Sequence, residues 1–118
     1  MKTILLVEDN DDMRENTAEL LELSQFTVLP AKNYDAGLTL ASKNKPDLII
    51  CDTDVPGLDR FKKLIALSAM GSMVPFIFLA AQLPEPNRND VAVQGAGFLA
   101  KPFKADDLLN AVNKYISA

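Results

Sequence analysis

The feature that most constrains this chain is a rhythm. Five short apolar runs, at residues 4–7, 27–29, 48–51, 76–79 and 98–100, alternate with helix-length stretches near 11–24, 34–43, 59–70, 86–94 and 105–116. Runs such as Ile4-Leu5-Leu6-Val7 and Leu48-Ile49-Ile50-Cys51 have no polar alternation, so the strands they form are buried on both faces. Five strands alternating with five helices predict an α/β fold, a doubly wound parallel sheet with helices on both faces. The first helix starts with Asp11 and Asp12, where the helix dipole favours acids. Its Met13, Thr17, Leu20, Leu21 and Ser24 fall roughly on one face. The last repeats the pattern with Leu108, Ala111, Val112 and Tyr115 behind Asp106 and Asp107. Pro84-Glu85-Pro86 breaks the chain after the fourth strand, ahead of the weakest of the predicted helices, 86–94.

Composition narrows the function classes. A length of 118 residues with 48% apolar side chains suits one compact domain. No apolar stretch reaches 18 residues, which predicts no membrane span, and the N-terminus lacks the long apolar segment of a signal peptide. The single cysteine, Cys51, lies inside an apolar run; a buried thiol fits a reducing, cytoplasmic setting. Twelve basic against sixteen acidic residues give a net charge of −4, which argues against a nucleic-acid-binding surface. The chain has no histidine, so serine–histidine triads and histidine metal sites are excluded. Any metal would be a hard, oxygen-liganded cation.

Open parallel sheets bind ligands outside the carboxyl ends of their strands. Glu8 and Asp9 follow the first strand, Asp52 the third, Ala80 and Ala81 the fourth, and Lys101 the fifth. Carboxylates gathered there repel one another by about 4 kcal/mol per pair at about 4 Å and an effective dielectric near 20. Either a proton or a cation must relieve them. With oxygen ligands only, magnesium is the natural cation, and it brings phosphate chemistry with it. Asp52 then has the character of a nucleophile toward phosphorus, with Lys101 neutralising charge on the transferring group.

Those residues carry a resemblance. Ile4-Leu5-Leu6-Val7-Glu8-Asp9, Pro46-Asp47-Leu48-Ile49-Ile50-Cys51-Asp52, Val55-Pro56-Gly57-Leu58-Asp59, Pro75-Phe76-Ile77-Phe78-Leu79 and Gly95-Ala96-Gly97-Phe98-Leu99-Ala100-Lys101-Pro102-Phe103 occur in this order. Together they resemble the receiver domain of two-component response regulators over nearly the whole chain, 1–118. The resemblance implies a flavodoxin-like sheet of order 2-1-3-4-5. It implies that Asp52 accepts a phosphoryl group from a histidine kinase or phosphotransfer protein, with a downstream output partner. Asp9, Asp52 and the backbone carbonyl of Asp54 would hold Mg2+, with Glu8 assisting through water. Lys101 would contact the phosphoryl group, and the Lys101–Pro102 peptide would be cis. The family is a signalling domain with limited self-catalysed phosphotransfer and dephosphorylation, not a metabolic enzyme.

The chain departs from that pattern at several places. Ala80 stands where threonine or serine is usual, and alanine has no hydroxyl to offer a phosphoryl oxygen. A hydrogen bond to a charged group is worth roughly 1.5–3 kcal/mol, so a switch that pairs residue 80 with the aromatic Phe98 is expected to be weakly or differently coupled. Glu8 replaces a common aspartate, Arg60 a common glycine, and Pro84 and Pro86 alter the stretch that forms part of the family's output surface. Asp54 adds charge at the mouth of the site. Asp11 and Asp12 read as a solvated helix start, and Lys43, Lys45, Lys62 and Lys63 as solvated faces. Two other functions fit parts of the chain. One is a receiver-like interaction module that is never phosphorylated, supported by Ala80. The other is a fragment of a haloacid dehalogenase-type phosphatase, whose nucleophile loop Asp52-Thr53-Asp54-Val55 resembles.

Overall fold

A computed structural model of the chain describes residues 1–68, 74–81 and 96–116. Five parallel strands, β1 (Thr3–Val7), β2 (Thr27–Ala31), β3 (Leu48–Asp52), β4 (Phe76–Ala80) and β5 (Ala96–Ala100), lie in the order β2-β1-β3-β4-β5. Four helices are described: α1 (Asp11–Leu23), α2 (Tyr34–Asn44), α3 (Leu58–Leu67) and α4 (Ala105–Tyr115). The helix predicted over 86–94, with Pro84 and Pro86, lies outside the described residues.

The strands run further than the apolar runs suggest. Asp52 is the last residue of β3 and Ala80 the last of β4, so neither follows its strand as expected. Ladder pairing continues past the apolar residues, with Asp52 opposite Leu79 and Ala80 opposite Ala100. β2 likewise continues through Pro30 to Ala31; as an edge strand it tolerates a proline. Asparagine side chains start two helices: Asn10 Oδ1 accepts from Met13 N–H at 2.9 Å, and Asn33 Oδ1 from Ala36 N–H at 2.8 Å. Each cap is worth about 1 kcal/mol.

Alternation along the strands divides the core in two. Leu5, Val7, Ile49, Cys51, Phe76 and Phe78 pack with Tyr34, Ala41, Phe61 and Ile65 of α2 and α3. Ile4, Leu6, Leu48, Ile50, Ile77 and Leu79 pack with Leu21, Leu108 and Val112 of α1 and α4. Helices thus cover both faces. Gly37 lets α2 close on the sheet, since a Cβ there would stand 3.0 Å from Val7 Cγ2. Among the described residues no helix is long and apolar enough to cross a membrane.

Candidate functional site

The same two-residue alternation assembles the site. Ile4 and Leu6 point to the α1–α4 face, and so does Glu8, whose N–H extends the ladder to Ala31 O at 2.9 Å. Leu48 and Ile50 set the parity of Asp52, and Leu99 that of Lys101. All three side chains therefore reach one cleft of about 620 Å³ at the carboxyl ends of β1, β3 and β5. Asp9, Asn10, Asp12, Asn16 and Thr17 of the β1–α1 region and Asp54 complete its polar lining.

Glu8 and Asp52 are each 1% exposed, while Asp9 is open to solvent. Lys101 Nζ bridges the two buried carboxylates. It hydrogen-bonds Asp52 Oδ2 and lies 3.3 Å from Glu8 Oε1, a separation that forms an ion pair without hydrogen-bond geometry. Asp52 Oδ1 accepts from the Asp54 N–H at 2.8 Å, and Glu8 Oε2 accepts from the Asn10 N–H at 3.2 Å. Glu8 Oε1 is left as a buried acceptor without a hydrogen bond. Burial raises the Glu8 carboxyl above the usual range; the Asn10 N–H opposes this, and neighbouring Asp52 adds to it. Partial burial pulls the Lys101 ammonium down, but Asp52 and Glu8 together outweigh that, and its pKa rises.

Glu8, Asp9 and Asp52 each present one carboxylate oxygen, and these oxygens lie within 4.8 Å of one another. The acidic side chains of the cleft outnumber its one lysine, an excess that a divalent cation would relieve. The all-oxygen donor set and the orphaned Glu8 oxygen both fit a hard cation such as Mg2+.

The remaining expected residues are also located. The Asp54 side chain is exposed beside Asp52. The Lys101–Pro102 peptide is cis. Ala80 is buried but does not line the cleft, and it shares the parity of Phe76 and Phe78. Phe98 is half-buried with its ring centroid 5.2 Å from that of Phe78. Cys51 is a buried core thiol, pushed up to about 12 mainly by burial. Asp11 and Asp12 occupy the exposed first turn of α1, where Asp11 pairs with Arg14 at 2.6 Å. Lys62 differs from the expectation of a solvated face: it is half-buried, with Nζ 5.6 Å from the Phe78 ring centroid, whereas Lys63 is exposed.

Several contributors escaped the sequence reading. Arg14 donates to the Glu8 carbonyl at 2.9 Å, Thr53 ties its N–H to Leu79 O at 2.9 Å, and the Tyr34 hydroxyl donates to the Asp52 carbonyl at 2.7 Å. Each bond ends on a backbone atom. Only the aromatic residue directly behind the Asn33 cap offered a signal, and it reads equally well as core.

A sheet of this order with its polar cluster at the carboxyl ends of the strands belongs among the doubly wound α/β proteins. Within them, the chain belongs to the response regulator receiver domain family, which it matches over residues 4–113. Protein PilH of Pseudomonas aeruginosa is 30% identical over 120 residues, covering 99% of both chains. The phosphate regulon transcriptional regulatory protein PhoB of Klebsiella pneumoniae is 33% identical over 122 residues, covering 98% of this chain and 53% of PhoB. The chain thus spans about half of PhoB and nearly all of PilH. Among solved structures, chemotaxis protein CheY4 of Vibrio cholerae superposes with a TM-score of 0.88 at 25% identity, covering 98% of this chain and 99% of that one. The receiver domain of a Pseudomonas aeruginosa sensor histidine kinase gives 0.83 at 26% identity over 99% and 98%, and holds a magnesium ion in its active-site cleft. Receiver domains are signalling modules of two-component systems that interact with histidine kinases or phosphotransfer proteins, not metabolic enzymes. Membership in this family removes the support for the phosphatase-fragment reading of residues 52–55.

Proposed function

We propose that residues 1–118 act as one phosphoaccepting receiver domain, with Asp52 as the acceptor. The observation that carries this reading is the state of Asp52: a buried carboxylate with one oxygen on the Asp54 N–H, the other on Lys101, inside an acidic cluster. A carboxylate oxygen of Asp52 attacks the phosphorus of a phosphohistidine on a kinase or phosphotransfer protein. The O–P bond forms as the P–N bond breaks, and the imidazole leaves with the electron pair. Lys101 faces the charge that develops on the phosphoryl oxygens, already oriented by its hydrogen bond to Asp52 and its ion pair with Glu8. Asp9, Asp52 and the backbone carbonyl of Asp54 would hold Mg2+, with Glu8 assisting through water. The ion would supply positive charge for the transferring group. Hydrolysis of the phosphorylated side chain returns Asp52 to its starting state without turning over a metabolite. Switching is atypical, because Ala80 offers no hydroxyl to report the phosphoryl group to Phe98. The net charge of −4 speaks against a nucleic-acid partner and for a protein one, and the buried Cys51 thiol fits a cytoplasmic setting.

Incubation with a small phosphodonor and Mg2+, read by intact mass, tests this. The wild type gains one phosphoryl adduct and Asp52→Asn gains none. A second reading, an interaction module that is never phosphorylated, is favoured by Ala80 alone; the absence of an adduct on the wild type under every donor would favour it over the first.

A further inference from the structure

The backbone carbonyl of Asp52 has two donors. The Val55 N–H closes the turn after β3 at 3.3 Å, and the Tyr34 hydroxyl reaches the same oxygen at 2.7 Å. Tyr34 opens α2 directly behind the Asn33 cap and belongs to the core on the face of the sheet opposite the cleft. It is 5% exposed. Its ring centroid lies 4.9 Å from that of Phe61, and Gly57, at φ +98°, closes the turn against its edge, where a Cβ would stand 3.8 Å from Cδ2.

A buried ring at this junction needs no hydroxyl to fill space. Phenylalanine would do so without the cost of desolvating an O–H. The hydroxyl instead has partners that offset that cost: it donates to the backbone carbonyl of Asp52, with the Cys51 thiol beside it. Burial pushes the phenol pKa far up, so the group is a proton donor throughout the working range. The turn it braces is the one that carries the site. Asp54, at its tip, places its N–H on Asp52 Oδ1, yet the turn's own closing bond is long. Tyr34 supplies the short bond that the turn lacks.

We propose that Tyr34 is a positioning residue for phosphoryl transfer: from behind the sheet its hydroxyl fixes the Asp52 carbonyl and thereby the Asp52–Val55 turn. This keeps the Asp54 amide on Asp52 Oδ1 and the Asp54 carbonyl available to the cation. The inference rests on the reading of Asp52 as the acceptor. It adds a residue that never touches the cleft and that acts through the backbone alone.

The test is Tyr34→Phe in the full chain, which keeps the ring and removes one oxygen. Its thermal midpoint should fall by no more than about 5 °C, as for the loss of one net hydrogen bond. The Asp54 and Val55 amide resonances should move even without metal. Magnesium titrated on those amides should bind about 3- to 10-fold more weakly, and phosphorylation by acetyl phosphate should slow about 5-fold at limiting Mg2+. Saturating Mg2+ should restore most of that rate, which a merely damaged core would not allow. Unmoved Asp54 and Val55 amides with unchanged magnesium affinity and rate would overturn the inference while leaving Asp52 as the acceptor. A slow variant that magnesium does not rescue would also overturn it. A wild type that takes no phosphoryl group would remove the reading of Asp52, and this inference with it.

Discussion

The ends of β3 and β4 are neighbours on one rim, and they are built in opposite ways. Asp52 is held at both carboxylate oxygens and at its carbonyl, by Asp54, Lys101, Val55 and Tyr34. Ala80, one strand away and 6% exposed, offers a carbonyl to the Lys101 N–H at 2.8 Å and has no polar side chain. Both residues are buried, so the difference is one of chemistry rather than access. It teaches that the parts that would hold a phosphoryl acceptor and the part that would report its state are separable within one fold. In this chain every polar atom named at the β3 end has a partner, and the β4 end carries no hydroxyl.

The largest effects should come from breaking the β3 side. Asp52→Asn keeps the shape and the bond from the Asp54 N–H but removes the nucleophilic charge, so phosphorylation measured by intact mass should fall to zero. Lys101→Met should slow phosphorylation by about 10²-fold, in line with the loss of one preorganised group facing developing charge. It also leaves Glu8 and Asp52 buried without their shared cation, at a cost of about 3 kcal/mol in denaturant unfolding at neutral pH. Millimolar Mg2+ should recover part of that stability, because it supplies positive charge to the same carboxylates. A Lys101→Met chain as stable as the wild type in chelator would mean that the bridge contributes nothing.

Much of this contrast was legible in the residues. The apolar runs give the strands, and the strands give a rim where Glu8, Asp52, Ala80 and Lys101 are expected together; the structure turns Ala80 to the parity of Phe76 and Phe78, away from the cleft. The strand ends were less legible, because ladder pairing runs past the last apolar residue into Asp52 and Ala80. Bonds to backbone atoms were not legible at all. A carbonyl has no letter of its own, so the Tyr34 and Arg14 contacts depend on how two elements meet in space. Lys62 was misread for a related reason: its neighbour in the fold, Phe78, is distant in the chain, and the aliphatic stem of a lysine lies along apolar surface readily.

Ala80→Thr tests the β4 side. If the missing hydroxyl is what weakens reporting, restoring it should add a hydrogen bond to the phosphoryl group worth roughly 1.5–3 kcal/mol, or about one to two powers of ten in the conformational equilibrium. Amide spectra with and without a phosphoryl mimic should then change further from Asp52 than in the wild type, out to Phe98 and its partner Phe78. The added volume at a buried position costs about 1–3 kcal/mol if the rim cannot relax, so thermal stability should be followed alongside. A variant with wild-type stability and a wild-type response would place the control of switching elsewhere.

The smallest expected effect concerns the cost of burying Glu8 beside Asp52. Burial raises the Glu8 carboxyl above its unfolded value of 4.5, so the folded chain binds this proton more tightly than the unfolded one. The stability linked to that group is complete below about pH 4.5 and is lost as pH rises through the raised value. Lys101, raised above 10.5, acts in a different window, and its contribution persists until pH passes that value. In chelator, the wild-type thermal midpoint should therefore decline as pH rises above about 4.5, following Glu8. Glu8→Gln keeps an oxygen for the Asn10 N–H and gives up the 3.3 Å ion pair with Lys101, the lesser of the effects because burial leads. Its midpoint should stay nearly level over that range and exceed the wild type near pH 7. Magnesium should close the gap by stabilising only the chain that retains all three carboxylates. A wild-type midpoint that is flat from pH 5 to 8 in chelator would mean that Lys101 alone already compensates both buried acids, and the case for a cation would then rest on Asp9.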